Sequence, residues 1–136
     1  MYKKTGAQMS FYDYVMPFEG VLDEHNRWVR LAGEIDWFAL EDQYSRRFQK
    51  KGGQKALPVR VAFGSLIIRE ALGVSDAETL RLITESPYLQ YFIGQTEFSS
   101  EPPFSVRSLG AFRQRFDPEL VEATVQRVRA LSKEKR

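Results

Sequence analysis

Four side chains towards the C-terminal end have types and spacing suited to holding a polyanion: Arg107, Ser108, Gln114 and Arg115. An arginine fork can grip a phosphate or pair with two acceptors on a guanine edge, and a glutamine amide can do the same with adenine. At about 100° per residue, a helix here places Arg107, Gln114 and Arg115 on one side and Leu109, Phe112 and Phe116 on the other. Arg113 flanks the apolar stripe. The plainer reading of this pattern is a solvated amphipathic face. A second cluster, Lys50, Lys51, Lys55 and Arg60, offers contacts to phosphate that position a chain without reading sequence. Its plainer reading is a solvated loop with cations favoured at a helix C-terminus.

Other chemistry is poorly supplied. Lys51-Gly52-Gly53-Gln54-Lys55 is basic and glycine-containing, but it lacks the spacing of a phosphate-cradling loop and follows no strand. Carboxylates are plentiful, yet no pair is spaced for acid–base or two-metal work. Asp76 and Glu78 read more simply as a cap and a first-turn acid. One histidine, His25, and no cysteine argue against a structural zinc site, a disulfide framework or a histidine-dependent triad. The tyrosines and phenylalanine at 88, 91 and 92 read as core rather than as a base-stacking platform. No catalytic residue, metal site or cofactor site is expected.

The elements that must position the basic face are helical. The 136 residues suit one domain, and 43% hydrophobic content excludes a wholly disordered chain. No apolar run approaches the ~18 residues of a membrane span, and the opening has no signal-peptide core, so a cytoplasmic location is expected. The net charge of +2 hides strongly signed blocks: −6 over residues 10–42, +7 over 43–69, −5 over 70–104 and +4 over 105–136. Such asymmetry suits a side that faces a polyanion, though a block in sequence need not be a patch in space.

Residues 1–33 read as an aromatic-rich arm with short turns, in which Asp23 caps a short helix through Leu31. A helix then starts at Asp36 and ends before Gly52-Gly53, with Trp37, Leu40, Tyr44 and Phe48 at helical spacing. After Pro58 comes a helix, Val59 to about Leu72, apolar almost all round, as the central helix of an all-α domain is. Gly64 within it marks a close-packed neighbour. Gly73-Val74-Ser75-Asp76 breaks the chain and caps a third helix to about Glu85, with Leu80 and Ile83 inward. Pro87 opens a short apolar turn or helix that ends at Gly94. Beyond a loop closed by Pro102-Pro103, a helix runs from Ser105 to about Phe116, and Asp117-Pro118-Glu119 starts the last one. The expectation is a compact multi-helix domain over residues 34–136 with a helix-turn-helix-like core, preceded by the arm.

The run GVSDAETLRLITESPYLQYFIGQTEFSSEPPFSVRSLGAFRQRF resembles the N-terminal domain of bacterial insertion-sequence DDE transposases of the InsH kind. The matched pattern is G-x-S-D, a helix, E-x-P-Y-x-Q-Y-F-x-G, a variable loop, P-P, S-L and F-R-x-R. Ile35-Asp36-Trp37 and the helix after ALPVR also fit, and the likeness covers roughly Asn26 to Phe116. Ser86 departs from the asparagine usual before the proline. The resemblance implies a helical module that binds double-stranded DNA at element ends, ahead of a catalytic RNase H-like domain. The chain as far as Arg136 offers neither strands nor length for that domain, so a non-catalytic role in transposition and DNA recombination is expected. The alternative is a protein-interaction module, a homo-oligomer formed through the aromatic arm, or a truncated regulator of a transposase.

Overall fold

Residues 17–48 and 57–133 are described in the computed structural model. Within them the chain forms seven α-helices and no strand, the all-α class that the sequence implies. A short turn at Pro17–Gly20 precedes α1 (Arg27–Glu34), α2 (Trp37–Phe48), α3 (Val59–Leu72), α4 (Asp76–Glu85), α5 (Pro87–Phe92), α6 (Val106–Arg113) and α7 (Pro118–Lys133).

The polar residues at the helix starts act as the sequence suggests except at α1 and at α6, where Ser105 makes no side-chain cap. Asp36 Oδ1 accepts the Ala39 N–H at 3.0 Å and opens α2. Ser75 Oγ accepts the Glu78 N–H at 3.1 Å and opens α4. At α1 the capping residue differs. Asp23 turns its carboxylate to the His25 N–H at 2.8 Å, and the cap is Asn26, whose Oδ1 accepts from Trp28 at 2.7 Å and Val29 at 3.4 Å. Both residue types cap well, and they stand three positions apart, so composition alone does not choose. A division between residues 33 and 34 cuts the last turn of α1, and α1 buries Trp28, Leu31 and Ala32 in the core with the rest of the helices.

Helix α3 is the hub. Its residues from Ala62 to Ile68 are all buried, and α2, α4, α5, α6 and α7 all pack against it. Rings from several helices meet around it edge to face: Phe63 with Phe116 at 5.1 Å between centroids, Trp37 with Phe92 at 5.7 Å, and Trp28 with Phe92 at 5.0 Å. Such pairs add to simple area burial. Gly64 faces α5, where a Cβ would come within 3.1 Å of Ile93 Cγ2 and 3.5 Å of Phe92. The close packing expected at that glycine is therefore present.

Before α1, Phe18 and Glu19 hold φ of 56° and 57°. Non-glycine residues adopt that region at a cost of order 1 kcal/mol each. The turn is retained because the Phe18 N–H donates to the Thr96 carbonyl at 2.7 Å and its ring meets the edge of Tyr91.

Replacing Gly64 by valine should destabilise the chain by about 2–3 kcal/mol, since a branched side chain overpacks a site that barely admits a methyl. Urea denaturation should show a lower midpoint at unchanged slope.

Candidate nucleic-acid interface

The outer helix α6 has only eight residues, so its place is set by what holds it rather than by its own stability. Three fastenings do this. The first is apolar: Leu109, Phe112 and Phe116 are buried, and Phe104 packs edge-on against Phe112 at 5.2 Å.

The second is Gln90 of α5, which is 1% exposed. Its Nε2 donates to the carbonyls of Ile83 and Ser99, each at 2.8 Å. Its Oε1 accepts from the Ser99 N–H and from Gln95 Nε2, each at 2.9 Å. All four bonding positions of the amide are filled, and three of them fix the loop that leads into α6.

The third is Asp76, the first residue of α4. It accepts from Arg69 Nε of α3 at 2.5 Å and from Arg113 Nη1 and Nη2 of α6 at 3.1 and 3.2 Å. One carboxylate thus ties three helices at the turn between α3 and α4. That turn is closed by Gly73 at φ 66°, whose N–H returns to the Arg69 carbonyl. The hydrogen bonds from Arg113, outweighing the opposing effect of burial and helped by that from Arg69, hold the Asp76 carboxyl below the usual aspartate range. Arg113 is raised in turn, chiefly by its bond to Asp76.

The residues singled out in the sequence are now separated. Arg107 and Gln114 stand exposed on the outer face of α6, their side chains without a partner among the described residues, and Ser108 lies at its edge with Oγ 3.4 Å from Ser105 Oγ. Arg113 is bound to Asp76. Arg115 does not share the outer face. Helix α6 ends at Arg113, three residues earlier than the apolar spacing suggests, because the Gln114 and Arg115 N–H groups close a tight turn on Ala111 and Phe112. Arg115 is thereby rotated inward, donates to the Tyr44 hydroxyl at 2.7 Å and lies over the rings of Tyr44 and Phe112.

Arg60 belongs elsewhere in the fold. Its Nε and Nη2 donate to the carbonyls of Phe92 and Tyr91 at the end of α5, at 3.0 and 2.9 Å, and its guanidinium stacks on Trp37 and Tyr91. Desolvation lowers its pKa from the ordinary arginine value. Lys50, Lys51 and Lys55 lie outside the described residues. Spacing hid the anchoring roles of Arg60, Arg113 and Arg115. The signal for Gln90 was available: a lone amide in the apolar run PYLQYFIG must find partners if it is buried.

Among the described residues, no three of His, Asp and Glu come together in a way that could hold a metal ion. No described helix is long and apolar enough to cross a membrane. The family model of a transposase domain (DUF772) matches residues 16–115. No curated protein and no solved structure matches the chain.

Two outcomes test the fastenings. Gln90→Leu leaves the Ile83 and Ser99 groups without their partner, so it should cost about 2–4 kcal/mol and raise hydrogen exchange first in residues 95–105. For Asp76, a lowered pKa means its contribution is complete above the unfolded value and is lost as pH falls through the folded one, below 3.8. Asp76→Asn should therefore cost about 1–2 kcal/mol at pH 6, and the gap from wild type should close as urea melts are taken down towards pH 2.

Proposed function

The chain belongs to the DUF772 transposase-domain family, and on that premise we propose that it is a DNA-binding module acting in transposition. The carrying observation is the outer face of α6: Arg107, Ser108 and Gln114 project from a helix whose inner face is fixed to α3, α4 and the 95–105 loop. No acid occurs between Phe104 and Phe116, so nothing on this helix repels a phosphate backbone. The turn at Gly73 between α3 and α4, followed by α6 packed on both, is compatible with a helix-turn-helix arrangement in which the last helix enters the groove. Helix α4 suits that role less well, since its Arg81 is engaged by Glu78 and Glu85. The partner is double-stranded DNA, at the ends of a mobile element, and the module's own part is binding rather than strand cleavage. Lys50, Lys51 and Lys55 are proposed as phosphate contacts.

Self-association is the second reading. It is favoured by an open cleft of about 390 Å³ between α7 and the α1–α2 pair, lined by Leu31, Ile35, Leu40, Phe63 and Leu120. Helices α2 and α7 both rest on α3, and among the described residues they do not pack against each other.

Fluorescence anisotropy with duplex DNA across a salt series tests the first reading. With ~5–7 phosphate contacts, log affinity should fall with log salt at a slope of about −5 to −6. Arg107→Ala should weaken binding roughly tenfold at unchanged melting temperature. Arg115→Ala should instead lose about 1–2 kcal/mol of stability, through its bond to Tyr44 and its place over the rings. No binding by the wild-type chain at low salt, or equal affinity after Arg107→Ala, would defeat the assignment; a stable dimer without DNA affinity would favour the cleft.

A further inference from the structure

Gly110 sits in the middle of α6, and the fold gives no reason for a glycine there. Its φ is not positive, unlike that of Gly73 and Gly94. A Cβ at Gly110 would meet only Arg113 Nη2 at 3.8 Å, an ordinary contact, whereas at Gly64 it would press on Ile93 and at Gly94 on Arg60 Cδ at 3.2 Å. Gly33, inside α1, is equally open, so openness alone does not single out Gly110; its place between Arg107 and Gln114 does. In a helix interior, glycine is less favourable than alanine. What the missing side chain does supply is clearance.

That clearance lies on the outer line of α6. By helical arithmetic, Arg107, Gly110, Ala111 and Gln114 share one face opposite Leu109 and Phe112. The two smallest residues stand between the two long ones. The arginines that would crowd the line are drawn off, Arg113 to Asp76 and Arg115 to Tyr44. The face is a saddle: low in the middle, with a guanidinium at one end and an amide at the other.

We propose that α6 lies in the major groove with Gly110 at the point of closest approach, Arg107 pairing with a guanine and Gln114 with an adenine. Seven residues of helix rise about 10 Å, which spans roughly three base pairs. The saddle lets the helix axis sink towards the groove floor, so that both side chains meet base edges rather than stopping at phosphates. The inference deepens the duplex-binding reading above and rests on it.

Selection of the full chain on a randomised duplex pool tests it. Bound sequences should share a guanine and an adenine roughly three base pairs apart. Arg107→Ala should erase the preference at the guanine alone and Gln114→Ala at the adenine alone, each with a roughly 5–150-fold loss on the selected site. Gly110→Leu should lower affinity at least about tenfold without lowering the melting temperature, since the fold has room for it. Gly110→Ala should raise the melting temperature, confirming that the fold does not need the glycine. If Gly110→Leu binds as tightly as wild type, or the base preferences survive both other variants, the groove geometry is wrong while duplex binding stands. If the wild-type chain binds no duplex at low salt, both readings fall.

Discussion

The geometry of the outer helix depends on a buried amide. Gln90 lies in the middle of a six-residue apolar helix and is closed from solvent, so each of its donors and acceptors must be met within the protein. They are met by the end of α4 and by the loop beyond α5. A loop with little apolar anchorage of its own thus acquires a fixed path, and α6 starts from a fixed point. The strained turn at Phe18 and Glu19 leans on the same loop through Thr96, which places part of the N-terminal region under the same constraint. An apolar residue at position 90 would fill the space and leave the loop with one wall fewer.

The arginines show how one residue type serves opposite ends. A guanidinium offers five donors in a plane and two apolar faces, so it can close a helix terminus and stack on rings together. Arg60 does both, satisfying carbonyls at the end of α5 that have no partner within that helix while lying between Trp37 and Tyr91. Arg115 joins α2 to the end of α6, and Arg113 joins α6 to α4. Several charges of the described residues are paired in space. Glu34 meets Arg127, Asp76 meets Arg69 and Arg113, and Arg81 stands between Glu78 and Glu85. Block charge therefore overstated the described basic surface, and the residue left outward on α6 is Arg107.

Much of the fold was legible because it rests on local chemistry. Pro58, Gly73, Ser75 and Pro87 punctuate the chain by rules that act within a few residues, and the unbroken apolarity of Val59–Leu72 leaves the centre of a bundle as the only place for it. The site was less legible, and Arg115 shows why. Its outward placement assumed that α6 continues to Phe116, because Leu109, Phe112 and Phe116 keep helical spacing. The chain keeps that spacing while leaving the helix, since a tight turn can still deliver Phe116 to the ring of Phe63. Periodicity reports which side chains go inward and is silent on the path between them. The same limit applies to Asn26 and Asp23, where two good capping residues compete and tertiary packing decides.

Helix α6 is built below the stability its length and setting allow. It has eight residues, Ser105 makes no side-chain cap, and Gly110 occupies an interior position with no conformational or packing demand for it. Elsewhere among the described residues α1, α4 and α5 are capped by side chains, and Gly20, Gly73, Gly94 and Gly64 serve left-handed turns or a tight contact, Gly33 in α1 being the other open helical glycine. An element whose outer surface is completed by a partner gains stability from that partner by mass action, and it need not carry all of its own. On the proposed duplex-binding reading, the weakness of α6 and the openness of its face would share one physical origin, with the inner fastenings at Gln90 and Asp76 holding the helix in place.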